Sequence, residues 1–194
     1  MTRDPWEARD LARVAVFAAL IVVLGLMGPV PVPGLVPITA QTLGVMLAGT
    51  VLGWKRGGAA VLIVLVLVAI GLPVLAGGRG GLGVFAGPTV GYLIGWLPGA
   101  IVTGLIAHSG RLTWWRVLLA AVVGGMPVVY AVGIPLYAAI GGFSLEQAAL
   151  FTVAFLPGDA IKALVATVLT LLLFRAYPPA FPPAVRAARA RTAA

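Results

Sequence analysis

The chain has 194 residues, of which 61% are hydrophobic and only 9% are charged, and its mean hydropathy is +1.12. Soluble domains carry about 25% charged residues, so this composition excludes a soluble globular domain and predicts an integral membrane protein. Cysteine is absent and His108 is the only histidine, which excludes disulfides, thiolate chemistry and histidine or cysteine metal clusters, and we expect no bound cofactor.

The first predicted span is the apolar run from about residue 14 to residue 27. The preceding "DPWEARD" is typical of a helix start, because Asp4, Pro5 and Glu7 suit the N-cap, the first helical position and a capping box. Residues 28–39, "GPVPVPGLVPIT", are rich in proline and glycine and cannot continue a helix. They predict a long outer loop between the first span and the second.

Five further apolar spans follow, separated by turns such as "GWKRGG", "AGGRGGLG" and "HSGRLTWWR". A membrane-crossing helix needs roughly 20 apolar residues, so six spans with short connections use the whole length. The predicted fold class is therefore all-α, a compact bundle of six transmembrane helices in a single domain over residues 1–174. Residues 175–194 are predicted to be a basic, frayed cytoplasmic tail rich in proline, alanine and arginine. The five further spans are expected at residues 39–52, 59–75, 87–107, 117–140 and 148–174.

Membrane topology explains the net charge of +8 without a nucleic-acid partner. With six spans, all basic residues except Arg79 and Lys162 fall on one side, and such a bias marks the cytoplasmic side of a membrane. Both termini are therefore expected in the cytoplasm. An odd number of spans would scatter the basic residues over both sides. The residues that carry the bias are Arg3, Arg9, Arg13, Lys55, Arg56, Arg111, Arg116, Arg175, Arg186, Arg189 and Arg191.

The last span contains a charged pair, within "FLPGDAIKA" at residues 155–163. A charge at membrane depth costs roughly 2.5–3.5 kcal/mol on insertion scales, so an ionisable residue there indicates a functional site by default. Asp159 and Lys162 share one helix face at positions i and i+3. They form either a salt bridge that neutralises itself inside the bundle or a polar site for a ligand that has both N–H and C=O groups.

Polar residues at the outer ends of other spans are candidates to complete such a site. The loops at 28–39 and 76–83 and the start of the sixth span all face the same outer compartment in the six-span topology. Taken singly, each of these polar residues is more typical of an interface or of helix packing. The candidates are Thr39, Gln41, Thr42, Arg79, Thr89 and Tyr92.

Small residues form two stripes at helical spacing. Gly87, Gly91, Gly95 and Gly99 recur every fourth residue, which favours close packing against another helix. Ala15 and Ala19 are also four apart on the first span. They either pack inside the bundle or dock another membrane subunit, and the spacing alone does not choose between the two.

The sequence contains no constellation for catalysis. No second carboxylate lies near Asp159, and neither a metal-ligand set nor a nucleophile–base pair is visible. "GGRGGLG" lacks the spacing of a phosphate-binding P-loop. We therefore expect a ligand-binding transport subunit that is not an enzyme and has no ATPase motif. A self-sufficient carrier with Asp159 as a proton-coupling group is the alternative, and the charged pair disfavours a purely structural subunit.

Three stretches together resemble one protein family. "VPITAQTLGVMLAG", "GLPVLAGGRGGLGVFAGPTVGYLIGW" and "FLPGDAIKA" occur in the order found in the BioY family, the biotin-binding S components of energy-coupling factor (ECF) transporters. The resemblance extends from residue 12 to about residue 174. It implies a six-helix S-component fold in the bacterial cytoplasmic membrane, with a biotin site covered by the loop between the first two spans. The implied partners are biotin, a transmembrane T component that docks at Ala15 and Ala19, and two ATPase subunits.

The resemblance also gives the charged pair a role. Asp159 would accept a hydrogen bond from a ureido N–H of biotin and Lys162 would donate to the ureido oxygen. The valerate carboxylate would bind Arg79 or the backbone amides of the loop around Gly78, and an alternative assigns it to Lys162. Another vitamin, such as thiamine or riboflavin, is the rival ligand within the same class of transporter.

Overall fold

The first helix, α1, spans Ala8–Leu26 in the computed structural model, which describes residues 6–28 and 38–190. Its capping box is formed by Glu7 as N-cap and Asp10 as the third helical residue, whereas the sequence suggested Asp4 and Glu7 for these positions. Asp4 and Pro5 lie outside the described residues, as does most of the loop at 28–39. The buried face of α1 recurs every three or four residues and packs against the second helix.

The second helix, α2, spans Gln41–Ala69 and folds back on itself at Gly53. Gly53 has a φ of 79°, a conformation that glycine adopts at no steric cost. The two limbs, 41–52 and 54–69, pack so closely that a Cβ atom at Gly57 would lie 2.6 Å from the carbonyl oxygen of Ala48. Because of the hairpin, the start of α2 lies beside the residues that follow the end of α2, and Gln41 contacts Val74 there.

Six further α-helices follow among the described residues. Two of them, Trp114–Val123 and Val129–Gly141, are continuous with each other through a single π-helical turn at Gly124–Val128, which contains Pro127. The described residues form no β-strand, apart from isolated bridge residues such as Leu75 and Arg79. In chain order the helices are α3 Val90–Ala107, α4 Trp114–Val123, α5 Val129–Gly141, α6 Leu145–Val153, α7 Leu156–Ala176 and α8 Pro183–Ala190.

The glycine stripe of α3 packs against the 124–136 region. A Cβ atom at Gly91, Gly95 or Gly99 would lie within 3 Å of a backbone oxygen of the facing segment. Close approach of the two backbones therefore requires glycine at these positions, which agrees with the packing interpretation of the stripe. Gly87 lies outside α3, and a Cβ atom there would meet only Val84.

Among the described residues, four helices are long and apolar enough to cross a membrane by length and composition, not the six that the sequence predicted. One reason is α1, whose first two turns carry Arg9, Asp10 and Arg13. The other is α2, whose two limbs are each short and together form the single helix Gln41–Ala69. The four helices are Gln41–Ala69, Val90–Ala107, Trp114–Gly141 and Leu156–Ala176.

The tail does not fray at residue 175 as expected. Helix α7 continues to Ala176, and a short 3₁₀ turn then leads into α8. Phe181 is fully buried, with its ring centroid 4.9 Å from that of Phe174, and Val185 is also buried. Burial of these two apolar side chains, which belong to the main core, fixes this part of the tail against the bundle.

One end of the bundle, here called the basic end, comprises the start of α1, the hairpin tip at Gly53, residues 108–113 and the end of α7. Asp10 is buried there and pairs with Arg13 at 3.0 Å and with Arg56 at 2.8 Å, which ties α1 to the hairpin tip. His108 meets the hairpin tip as well. The opposite end, here called the loop end, comprises residues 71–89 and the starts of α2 and α7.

Candidate functional site

A cavity opens at the loop end and encloses about 710 Å³, including the part that is open to solvent. Small-molecule sites combine apolar walls with a few polar groups. This cavity has that character, because aromatic and aliphatic side chains dominate its wall and one carboxylate reaches it. The lining residues are Ile38, Thr39, Gln41, Thr42, Leu75, Arg79, Val84, Thr89, Tyr92, Leu93, Trp96, Val129, Tyr130, Phe155 and Asp159.

Asp159 provides the charge on the cavity wall. It lies in the first turn of α7, where the partial positive charge of a helix N-terminus favours a carboxylate. Its Oδ1 accepts hydrogen bonds from Lys162 Nζ at 2.8 Å and from Thr42 Oγ1 at 3.4 Å, and its Oδ2 accepts one from the Tyr130 hydroxyl at 2.5 Å. The side chain is only 6% exposed, so three donors from three helices fix its orientation.

Lys162 lies behind this carboxylate and does not line the cavity. Its Nζ donates to Asp159 at 2.8 Å and to Thr42 Oγ1 at 3.0 Å, one helical turn further along α7. The ammonium group thus balances the buried carboxylate, and an ammonium has three protons to donate. The salt bridge that the sequence predicted is formed, and its carboxylate faces a cavity.

Gln41 lines the cavity, but its amide is already fully engaged by the protein. Nε2 donates to the carbonyl oxygens of Ile21 at 3.3 Å and Val74 at 3.1 Å, and Oε1 accepts from the backbone N–H of Ala76 at 3.0 Å. The residue is 1% exposed. Gln41 therefore connects α1 to the loop at 71–81 through hydrogen bonds and does not present a free amide to the cavity.

Tyr92 belongs to an aromatic cluster on the far side of the cavity. Its hydroxyl pairs with Thr152 Oγ1 at 2.7 Å, and its ring meets those of Phe155 and Tyr130 edge to face, at centroid distances of 5.7 and 6.4 Å. Edge-to-face pairs of this kind are favourable and fix ring orientation. With Trp96, these rings form a rigid wall suited to a flat or bicyclic ligand.

The loop at 71–89 supplies the remaining candidates. Arg79 lines the cavity, and hydrogen bonds hold both its side chain and its backbone. Its Nε donates to the carbonyl of Ala76 at 3.3 Å, and its own carbonyl accepts from Leu75 N at 3.0 Å. Gly78, with a φ of 70°, makes the turn and lies in an outer groove instead of the cavity. Thr89 also lines the cavity.

Tyr130 is a site residue that sequence reasoning missed. It is the only hydroxyl-bearing residue between Thr113 and Tyr137, and it follows the π-helical turn at Gly124–Val128. Such turns occur frequently at functional sites. A lone hydroxyl just after a proline-containing break in an apolar span was therefore the available signal.

Ala15 and Ala19 do not pack inside the bundle. Both are exposed on α1, while Val14 and Ala18, one position earlier, are buried. The small-residue face therefore points away from the rest of the described chain.

Comparisons with known proteins agree with one another. A profile of the BioY family matches residues 1–179. The chain is 53% identical over 180 residues to the biotin transporter BioY of Rhizobium etli, covering 89% of this chain and 96% of that protein. It is 34% identical over 168 residues to the biotin transporter BioY of Lactococcus lactis, covering 84% and 89% respectively. The solved S-component for biotin from an ECF-type ABC transporter matches with a TM-score of 0.82 at 32% identity, covering 90% of this chain and 95% of that one.

Proposed function

This chain belongs to the BioY family, and on that premise we propose that it is the biotin-binding S component of an ECF-type importer. The observation that supports this function best is the Asp159 carboxylate, which reaches an aromatic cavity while Lys162, Thr42 and Tyr130 hold it in place. Binding and transport need no catalytic group, so the subunit is not expected to be an enzyme.

The bicyclic end of biotin fits the chemistry of this cavity. Its ureido ring offers two N–H donors, and an ionised carboxylate is the stronger kind of acceptor for such donors. Asp159 accepts from one ureido N–H in our proposal. Trp96 and the Tyr92 ring bracket the apolar face of the thioether ring, which gives contact area without a further polar partner.

Lys162 and Arg79 bind different oxygen groups of biotin in this proposal, the ureido oxygen and the valerate carboxylate. Lys162 is shared between Asp159 and Thr42. We propose that its third proton is donated to the ureido oxygen, which requires the ammonium group to turn from behind the carboxylate toward the cavity. The Arg79 guanidinium or the loop amides near Gly78 then receive the valerate carboxylate at the open side of the cavity. In the alternative, Lys162 receives that carboxylate.

The membrane arrangement follows from the same premise. We propose six crossings, made by α1, the two limbs of α2, α3, the helix Trp114–Gly141 and α7. The basic end faces the cytoplasm with both termini, because basic residues accumulate on that side. Biotin then enters from the outer, loop end of the bundle in the cytoplasmic membrane of a bacterium.

Docking of the partner subunits is proposed at the exposed face of α1. Ala15 and Ala19 provide a smooth surface on which a helix of the transmembrane T component can approach closely. Two separate ATPase subunits would supply the energy for import.

Calorimetric titration of the detergent-purified chain with biotin tests the proposed function, with thiamine and riboflavin as competing ligands. We expect tight binding of biotin alone and a loss of at least about tenfold in affinity for Asp159→Asn, since hydrogen bonds to charged groups contribute about 1.5–3 kcal/mol. Glu146→Gln is the matched control, because it removes an exposed carboxylate from the start of α6. A well-folded wild type that ignores biotin would overturn the proposal.

Biotin amide separates the two assignments of Lys162. If Lys162 holds the valerate carboxylate, amidation weakens binding by the wild type but not by Lys162→Ala. If Lys162 serves the ureido oxygen, amidation weakens binding by both proteins to the same extent. Each titration is interpreted only for protein that elutes as a single folded species, since removing one partner of a buried ion pair is itself destabilising.

A further inference from the structure

A second cavity lies at the basic end, between the start of α4, the end of α7 and α8. It encloses about 870 Å³, including open space, and is separate from the cavity that contains Asp159. Two arginines line it together with aromatic and aliphatic side chains. The lining residues are Arg111, Leu112, Trp114, Leu171, Phe174, Arg175 and Val185.

The two arginines of this cavity have no carboxylate partner within the described residues. Of the carboxylates that form ion pairs among the described residues, Asp10 at the basic end is engaged with Arg13 and Arg56, and Asp159 at the loop end is engaged with Lys162. Neither Arg111 nor Arg175 takes part in an ion pair with any described residue.

A third guanidinium adds to the positive charge, because Arg116 Nη1 donates to the carbonyl of Arg111 at 2.9 Å. The cavity is therefore a concentrated positive site without an internal counter-charge. It suits an anion supplied from outside the chain.

The surroundings of the arginines are those of a membrane–water interface. Trp114 and Trp115 are 53% and 56% exposed, and tryptophan is enriched at the headgroup level of bilayers. On α7, Leu172 is 53% exposed and directly follows Leu171 of the cavity wall. Arg175 is one turn further on, so the helix passes from an apolar, lipid-facing surface to a cation within about 5 Å of rise.

We propose that this cavity binds one anionic phospholipid, with the phosphate between Arg111 and Arg175 and an acyl chain along Leu171 and Leu172. The planar guanidinium groups match phosphate oxygens in geometry and charge. A free phosphate would gain nothing from the leucines and Phe174. A zwitterionic lipid would bring its own cation into a site that already has uncompensated positive charge.

Native mass spectrometry of the full chain in detergent tests this site, by titration with dioleoylphosphatidylglycerol and, separately, dioleoylphosphatidylcholine. We expect one saturable phosphatidylglycerol adduct, bound at least about tenfold more tightly than phosphatidylcholine. The double variant Arg111→Gln/Arg175→Gln should bind phosphatidylglycerol about thirtyfold more weakly. Each arginine near an anionic headgroup contributes about 1 kcal/mol, and the loss of two corresponds to about thirtyfold in affinity. The matched control Arg9→Gln/Lys55→Gln removes the same charge from the same end outside this cavity and should bind within about twofold of the wild type.

Three results would overturn the proposal. They are equal binding of the two lipids, unchanged phosphatidylglycerol binding by the arginine double variant, and displacement of the lipid by millimolar inorganic phosphate, which would make the site one for a free anion. Biotin titration of the same preparation keeps this question separate from the proposed function, because the double variant should bind biotin as the wild type does. If the double variant does not elute as one folded species, the lipid preference of the wild type and its loss at high salt decide the matter.

Discussion

The hydroxyl of Tyr130 donates a hydrogen bond of 2.5 Å to Oδ2 of Asp159, across 29 positions of sequence. The opposite oxygen of this carboxylate accepts from Lys162 and Thr42. The three donors therefore leave the remaining lone pair of Oδ2 as the site for a ligand N–H. Tyr130 is a positioning residue in this arrangement, because it orients the group that meets biotin in the proposed function.

Tyr130→Phe should weaken biotin binding by about tenfold while preserving the ring that packs against Tyr92, because the carboxylate loses the donor that orients its Oδ2 toward the ligand N–H. Calorimetry with biotin measures this change directly. Tyr137→Phe is the matched control: it makes the same chemical change within the aromatic cluster but outside the cavity lining. Equal affinities for Tyr130→Phe and the wild type would show that the hydroxyl does not position the carboxylate.

Gln41→Leu should lower thermal stability more than any other substitution among the polar candidates of the cavity. The change leaves the carbonyl oxygen of Val74 and the N–H of Ala76 without the partner that Gln41 supplies, and each buried unsatisfied group costs about 1–3 kcal/mol. Thermal unfolding in detergent, followed by tryptophan fluorescence, measures the loss.

Thr39→Val is the control for Gln41→Leu, because Thr39 lines the same cavity and is only half-buried. A Gln41→Leu variant with wild-type stability and reduced biotin affinity would mean that the amide serves the ligand instead of the loop.

The charged pair could be identified from the sequence because an aspartate and a lysine stand out in an otherwise apolar span. Local spacing also placed both on one face of α7, and the ion pair is formed at 2.8 Å. The role of Tyr130 could not be predicted because its partner is distant in the chain, and no local pattern links a tyrosine in α5 to a carboxylate in α7. The same limit applies to Gln41, whose partners lie in α1 and in the 71–81 loop.

The number of helices that are long and apolar enough to cross a membrane differs from the predicted six for a different reason. The sequence predicted two short spans at 39–52 and 59–75 with a turn at "GWKRGG" between them, and the structure makes that turn at Gly53 but joins both limbs in the single helix Gln41–Ala69. The tail was misjudged because its composition is polar overall. Burial of Phe181 and Val185 outweighs that average.

Gly95→Ala should destabilise the bundle, since a Cβ atom there would lie 2.9 Å from the carbonyl oxygen of Val129 and 3.1 Å from its Cα. The backbone of the facing helix must then shift, and overpacking of this kind typically costs about 1–3 kcal/mol. The thermal midpoint in detergent measures the effect. Gly83→Ala is the control, because nothing lies within 4 Å of a Cβ atom at that position. A stable Gly95→Ala variant would mean that α3 and α5 pack less tightly than described.

The stability of the chain should fall as the pH is lowered below about 6.5, because of His108 at the basic end. Burial lowers the pKa of His108 below its usual value, and the hydrogen bond to the backbone carbonyl of Thr50, 2.8 Å from Nε2, only partly offsets this. The carbonyl can only accept, so Nε2 carries the proton of the neutral ring. In the window between the lowered pKa and 6.5, the unfolded chain binds more protons than the folded chain, and stability therefore increases with pH there.

Thermal unfolding of the wild type at a series of pH values from 7.5 to 5.5 measures this dependence. The thermal midpoint should be constant above the unfolded pKa of about 6.5 and should decrease as the pH falls through it. His108→Gln removes the titrating group while retaining an N–H donor, so its midpoint should be lower than that of the wild type at pH 7.5 but should vary less with pH. The same slope in both proteins would assign the pH dependence to other groups and would contradict a neutral His108 with a lowered pKa at the hairpin tip.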